Sequence, residues 1–100
     1  FTFFAGQALP SIPDQYYLSQ NYPNPFNSTT ILPYGLPEST HLSIHIYDIS
    51  GRLVETLIDG NIEAGYHTAI WDASTVSAGV YLVKMETAAF SSVRKVILVR

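Results

Sequence analysis

At 100 residues, with no cysteine and a net charge of −3, the chain is the size of a single domain and holds no thiol chemistry, iron–sulfur cluster or cysteine-rich zinc site. Its five Lys and Arg leave no electrostatic footprint for nucleic acid or anionic lipid, and no apolar run approaches the roughly 20 residues of a membrane-spanning helix. Charged residues make up 13% against 47% hydrophobic, a sparsely charged balance that suits a molecule outside the cell, in an assembly or anchored to a surface.

The chain opens on Phe1-Thr2-Phe3-Phe4-Ala5-Gly6-Gln7-Ala8, an apolar stretch in which Gly6 and Ala8 offer the small-x-small pattern of a signal-peptide tail, although no basic start precedes it. Leu9 to Asp14 follows with Pro10 and Pro13, which favour an extended connector. The division read from this is an extended N-terminal segment with its connector over 1–15 and one folded body over 16–100. Tyr16 to Asn27, YYLSQNYPNPFN, reads as an edge strand or tight meander, because Pro23 and Pro25 withhold ladder donors. Thr29 to Leu36 is a strand that Pro33 demotes to an edge or a bulge, and Pro37-Glu38-Ser39 is the turn after it.

His41 to Tyr47 alternates cleanly, with Leu42, Ile44 and Ile46 on the core side. Asp48-Ile49-Ser50-Gly51 then makes a turn, and Arg52 to Ile58 returns as the partner strand, closed by Asp59-Gly60. Ala64-Gly65 opens Tyr66 to Trp71, where His67, Ala69 and Trp71 share a face; Asp72 to Gly79 turns again. Val80 to Thr87, with Tyr81, Val83 and Met85 in one stripe, and Val93 to Val99 form a terminal hairpin. Seven short strands separated by turn residues, with no helical period, predict an all-β, immunoglobulin-like antiparallel sandwich.

Residue types that carry chemistry are present in patterns that do not favour it. His41 and His45 share a face with i,i+4 spacing, but on a strand that separates them by about 13 Å, too far to share a zinc ion. His67, Asp72 and Ser74 or Ser77 are the residue types of a hydrolase triad without the glycine pattern of a nucleophile elbow. Asp72 reads instead as an acceptor for loop backbone donors and His67 as a residue at the core rim. Asn27-Ser28-Thr29 fits the N-glycosylation pattern and reads first as a turn. No catalytic residue, metal or cofactor is expected.

LSQNYPNPFNSTT, IYDISGRLVETLIDG, AGYHTAIWD, SAGVYLVKMET and KVILVR occur in that order. Together they resemble the C-terminal sorting domain of the type IX secretion system (type A), related to the immunoglobulin-like domain of flagellar hook-capping proteins, over Tyr16 to Arg100. The resemblance implies a sandwich of about seven strands on an exported protein, read by the outer-membrane secretion machinery, often removed or attached at the cell surface, and without catalytic residues. Carried onto this chain, it makes Asn24, Pro25 and Phe26 a rigid corner with Phe26 as its plug, Asp48 and Gly51 a hairpin turn, Trp71 a central core aromatic, and Gly79 and Tyr81 the start of the penultimate strand. Ser28 stands where the family commonly has proline, and Pro33 where it has a polar residue.

The expected function is therefore export and attachment or assembly at the outer cell surface or outside the cell, with the secretion machinery or a surface partner engaging the module. The alternative is a filament subunit. Phe1 to Ala8, about 26 Å long if extended, would pair with a neighbour's sheet edge and place Phe1 and Phe3, or Phe4, in that neighbour's core, and a repeated head-to-tail contact propagates.

Overall fold

The computed structural model describes residues 12–100, and the candidate assembly residues Phe1, Phe3 and Phe4 lie outside them. The described residues form seven strands: β1 (Tyr17–Leu18), β2 (Thr29–Leu36), β3 (Thr40–Asp48), β4 (Leu53–Ile62), β5 (Gly65–Asp72), β6 (Gly79–Glu86) and β7 (Ser91–Leu98). They make two antiparallel sheets, one ordered β1-β2-β5 and the other β4-β3-β6-β7, the architecture of an immunoglobulin-like sandwich. Each clean alternation in the sequence becomes one inner face: Leu42, Ile44 and Ile46 of β3, Tyr81, Val83 and Met85 of β6, and Val96 and Leu98 of β7 are all buried.

The inner face of the smaller sheet is complementary in size across its strands. Thr30 lies opposite Trp71, Leu32 opposite Ala69, and Leu36 opposite Gly65, so three of the four inner pairs set a large side chain against a small one, while in the fourth Tyr34 faces His67 and the two rings stack. Phe26, Trp71 and Leu18 join this layer to the β3, β6 and β7 stripes in one continuous core.

Two expectations are corrected. β2 is neither an edge nor a bulge but the middle strand of its sheet, in unbroken register with β5 from Thr29↔Asp72 to Leu36↔Gly65. Pro33 is tolerated there because a residue's N–H and C=O point to the same side of a strand. The Pro33 carbonyl accepts from Ser19 N–H at 2.9 Å, so the missing donor faces the short β1 flank and the β5 ladder loses nothing. Likewise β4 does not end at Ile58. It runs on through Asp59-Gly60 to Ile62, with Gly60 opposite Leu42 and Ile62 opposite Thr40. Register shifts at Ile44/His45 and Ile46/Tyr47 bulge the pairing, so β4 needs more residues than β3 to cover the same length.

On the outer face of the smaller sheet Gly35 pairs with Tyr17 on one side and Tyr66 on the other. The Tyr17 ring and the Pro13 ring occupy the space that a β-carbon on Gly35 would enter, so an aromatic lid replaces the missing side chain. Gly35→Ala should therefore destabilise the domain by about 1–3 kcal/mol through overpacking, read as a lower urea midpoint. The double variant Gly35→Ala, Tyr17→Ala should recover part of that loss by emptying the lid.

Candidate functional site

Strand pairing brings the residues singled out in the sequence to one end of the sandwich. Asp48, the last residue of β3, lies opposite Tyr81; Gly79, the first of β6, lies opposite Leu98 near the end of β7; and Asp72, the last of β5, lies opposite Thr29. The Asn24–Asn27 segment leads into β2 at this same end, where Phe26 bridges Leu98 in parallel. Asn24, Pro25, Phe26, Asp48, Gly51, Trp71, Asp72, Gly79 and Tyr81, scattered over the sequence, thus share one pole.

Its interior is a tier of three aromatics. The Trp71 ring is 5.5 Å from Phe26, tilted by 55°, and 5.3 Å from Tyr81 at 75°, the edge-to-face relations that ring quadrupoles favour. All three rings are buried, and the polar atoms of Trp71 and Tyr81 are satisfied. Trp71 Nε1 donates to Glu55 Oε1 at 3.2 Å, and the Tyr81 hydroxyl donates to the Ser77 carbonyl at 2.5 Å, pinning the β5–β6 loop.

Around this tier the Gln20–Asn27 segment seams the two sheets. Phe26 N–H donates to Ile97 O and Val99 N–H to Phe26 O, at 2.9 and 2.8 Å, and Asn24 Oδ1 accepts Ile97 N–H at 3.1 Å. The Tyr22–Pro23 and Asn24–Pro25 peptide bonds are cis. The corner is organised from within by Asn21 and Thr30, the two buried polar residues among those described. Asn21 Nδ2 donates to Pro23 O and to Thr30 Oγ1, and Thr30 Oγ1 donates to Pro23 O, at 2.9–3.0 Å. This internal network makes burial of polar atoms tolerable.

Sequence reasoning passed over Asn21 and Thr30, and also Gln20, Arg94 and Arg100. Gln20 Nε2 donates to Lys95 O and Arg94 Nε to Leu18 O, at 2.9 and 2.8 Å, closing the gap between β1 and β7. The Arg100 guanidinium donates to the carbonyls of Asn27, Ala73 and Val76, tying the end of β7 to both loops of the pole. The available signal was the polar run Gln20-Asn21 just ahead of Tyr22-Pro23-Asn24-Pro25, where backbone carbonyls left without ladder partners call for side-chain donors. Ser28, the departure from the family's proline, contributes its carbonyl to Ala73 N–H at 2.7 Å.

The β3–β4 turn stands at the rim. Asp48 Oδ1 accepts from Ser50 N, Ser50 Oγ and Arg52 N at 2.9, 2.6 and 3.0 Å, while Gly51 takes φ = 90°, which glycine adopts without steric cost. The Ser50 hydroxyl first, then the Arg52 backbone donor, lower the Asp48 carboxyl from 3.8 to about 2. Since the folded-state value is the lower one, the ionised carboxylate stabilises the fold fully above the unfolded value and the contribution fades as pH falls through about 2. Asp48→Asn should accordingly flatten the decline of the urea midpoint between about pH 4 and pH 2; an unchanged acid limb would show that the turn's charge is idle. Asp72 is similarly held below its ordinary value by the Ser74 hydroxyl and Ser74 N–H, the latter 3.0 Å from Asp72 Oδ1.

The histidines take separate partners. His41 meets Asp59 at 2.9 Å and His45 meets Thr56 Oγ1 at 2.9 Å. His67 stacks on Tyr34 at 5.3 Å, and its Nε2 lies 2.8 Å from Glu63 O. His67 stands five residues from Asp72 along β5, on the order of 16 Å, and so at a distance from the Ser74–Ser77 loop. Among the described residues no three His, Cys, Asp or Glu come together as metal ligands, no cavity opens, and no helix is long and apolar enough to cross a membrane.

Two antiparallel sheets closed over one core, with their distinctive residues gathered into a packed, hydrogen-bonded pole, define an all-β sandwich module. The model of the secretion system C-terminal sorting domain matches residues 20–99, and the chain belongs to this family, that of type IX secretion. It is thus a secretion-linked module. The matched stretch starts at Gln20, which bonds Lys95, and ends at Val99, which bonds Phe26, so each end is bonded to the segment that adjoins the other. Among curated proteins none matches the chain.

Proposed function

We propose that the folded module is a non-catalytic export signal, read by the type IX outer-membrane machinery and serving attachment or assembly of its carrier at the outer cell surface. The single observation behind this reading is the convergence of the family's residues on one pole. The pole's interior is the Phe26–Trp71–Tyr81 tier, and its rim presents exposed Asn24, Pro25, Ile49 and Arg100. A receptor that reads a shape needs such a rim held rigidly, because a preformed surface avoids the ordering cost of binding.

The test fuses the full 100-residue chain behind a secreted reporter in a bacterium with type IX machinery. The reporter should reach the surface or medium with the module attached and remain inside the outer membrane without it. Equal export of both would sink the reading. The filament alternative draws its donor strand from Phe1 to Ala8, outside the described residues, and is separated from export by particle size: deleting Phe1–Ala8 should abolish any polymer and leave a folded monomer.

A further inference from the structure

Among the described residues the outer edge of β5 has no backbone partner. Hydrogen bonds that join Ser19 to Pro33 and Tyr22 to Ile31 show that alternate residues of β2 turn their N–H and C=O groups toward β1. Thr30, Leu32 and Tyr34 therefore spend theirs on Trp71, Ala69 and His67 across the ladder. By the same alternation the N–H and C=O groups of Tyr66, Thr68 and Ile70 point to the far side of β5, where no described strand or loop bonds them.

The other sheet edges are blunted. β1 is two residues long, β7 is covered by bonds from Gln20 and the Phe26 backbone and by the Arg94–Leu18 bond, and β4 carries Glu55, Asp59 and two register shifts. β5 has none of these protections against edge pairing. Tyr66 to Trp71 contains no proline and no Lys, Arg, Asp or Glu, and its pairing with β2 runs without a bulge. Tyr66, Thr68 and Ile70 are all exposed, Tyr66 at 52% and Ile70 at 63%.

We propose that a second copy of this chain adds its own β5 antiparallel to this edge, about a two-fold axis at Thr68. The strand is self-complementary in that register. Thr68 faces Thr68 of the second copy and Tyr66 faces Ile70, each facing pair exchanging two backbone bonds. Thr–Thr and aromatic–β-branched contacts are both favourable cross-strand pairs. Asp72 falls opposite Ala64, so no like charges meet across the axis. The contact uses the same edge on both copies and closes at two, joining the smaller sheets into one ordered β1-β2-β5-β5-β2-β1.

A strand edge buries little area, which places the dimer among weak associations. Sedimentation velocity of the full chain should show monomer passing to dimer between about 10 µM and 1 mM. Thr68→Pro removes a donor on the open side alone, as Pro33 does toward β1, so it should abolish the dimer while the methyl signals of buried Ile44 and Ile46 stay in place. Thr68→Lys and Thr68→Glu each set like charges across the axis, and each should weaken self-association severalfold at low salt. Their equimolar mixture should recover wild-type strength or better. Val93→Lys, at an exposed apolar position on β7, should leave the dimer unchanged. A chain that stays monomeric over the whole range would overturn the proposal. So would a Lys and Glu mixture that associates no better than either variant alone, or a Val93→Lys loss equal to that of Thr68→Lys, since the contact would then be non-specific. Export of the reporter fusion is a separate readout and depends on none of these outcomes.

Discussion

Trp71→Ala should cost about 3–5 kcal/mol, the range for removing a buried large aromatic, which for a domain of this size lowers Tm by well over 10 °C. Trp71 is fully buried, touches Phe26 and Tyr81, and spends its one polar hydrogen on Glu55. Its removal leaves a cavity in the layer where both sheets and the Asn24–Asn27 corner meet, and the rigid backbone of two strands cannot collapse to fill it. Far-UV circular dichroism against urea measures the loss. Ile70→Ala, one residue away on the exposed face, is the control and should stay within about 1 kcal/mol. A Trp71→Ala cost no greater than that control would mean the tier is not the pole's anchor.

Phe26→Ala should cost a comparable ~3–4 kcal/mol, with a different signature. Phe26 is buried while its backbone clips onto both Ile97 and Val99, so losing the plug loosens the seam. The Phe26 and Val99 amides should lose hydrogen-exchange protection by more than the β3 amides do. The chain's single tryptophan reports the same event, its emission shifting red as water reaches the tier. Combined with Trp71→Ala the two losses should be sub-additive by about 0.5–3 kcal/mol, because the rings are in contact. Strict additivity would deny the coupling. In the export assay Phe26→Ala should reduce surface delivery in step with the loosened seam.

Where the sequence alternates strictly, it is readable. His41–Tyr47 and Val80–Met85 present one apolar face each, and nothing in their surroundings competes with that period. The Asp48–Gly51 turn was legible for a similar reason: an Asp two residues ahead of a donor and a glycine at positive φ are local chemistry. The position of β2 was not legible, because Pro33 announces a missing donor without saying which side of the strand it faces, and only the neighbouring Ser19 decides that. The extent of β4 was hidden by Asp59-Gly60, a turn signal overridden by the pairing of Gly60 with Leu42.

The pole shows the same division. Phe26, Trp71 and Tyr81 could be chosen from the chain as aromatics beside turns, yet their mutual contact is a product of two sheets closing on each other. Asn21, Thr30, Arg94 and Arg100 act through carbonyls up to 76 residues away, a distance no local pattern encodes.

By itself, then, the amino-acid order determined that there are seven strands and placed most of their turns, since side-chain period and turn chemistry act over a few neighbours, while its ordered motifs carried the family resemblance. The tertiary structure alone decided which strand sits in the middle, which carbonyls the arginines seek, and that nine separated residues share one end, because those depend on pairing between segments that meet only once the sandwich has closed.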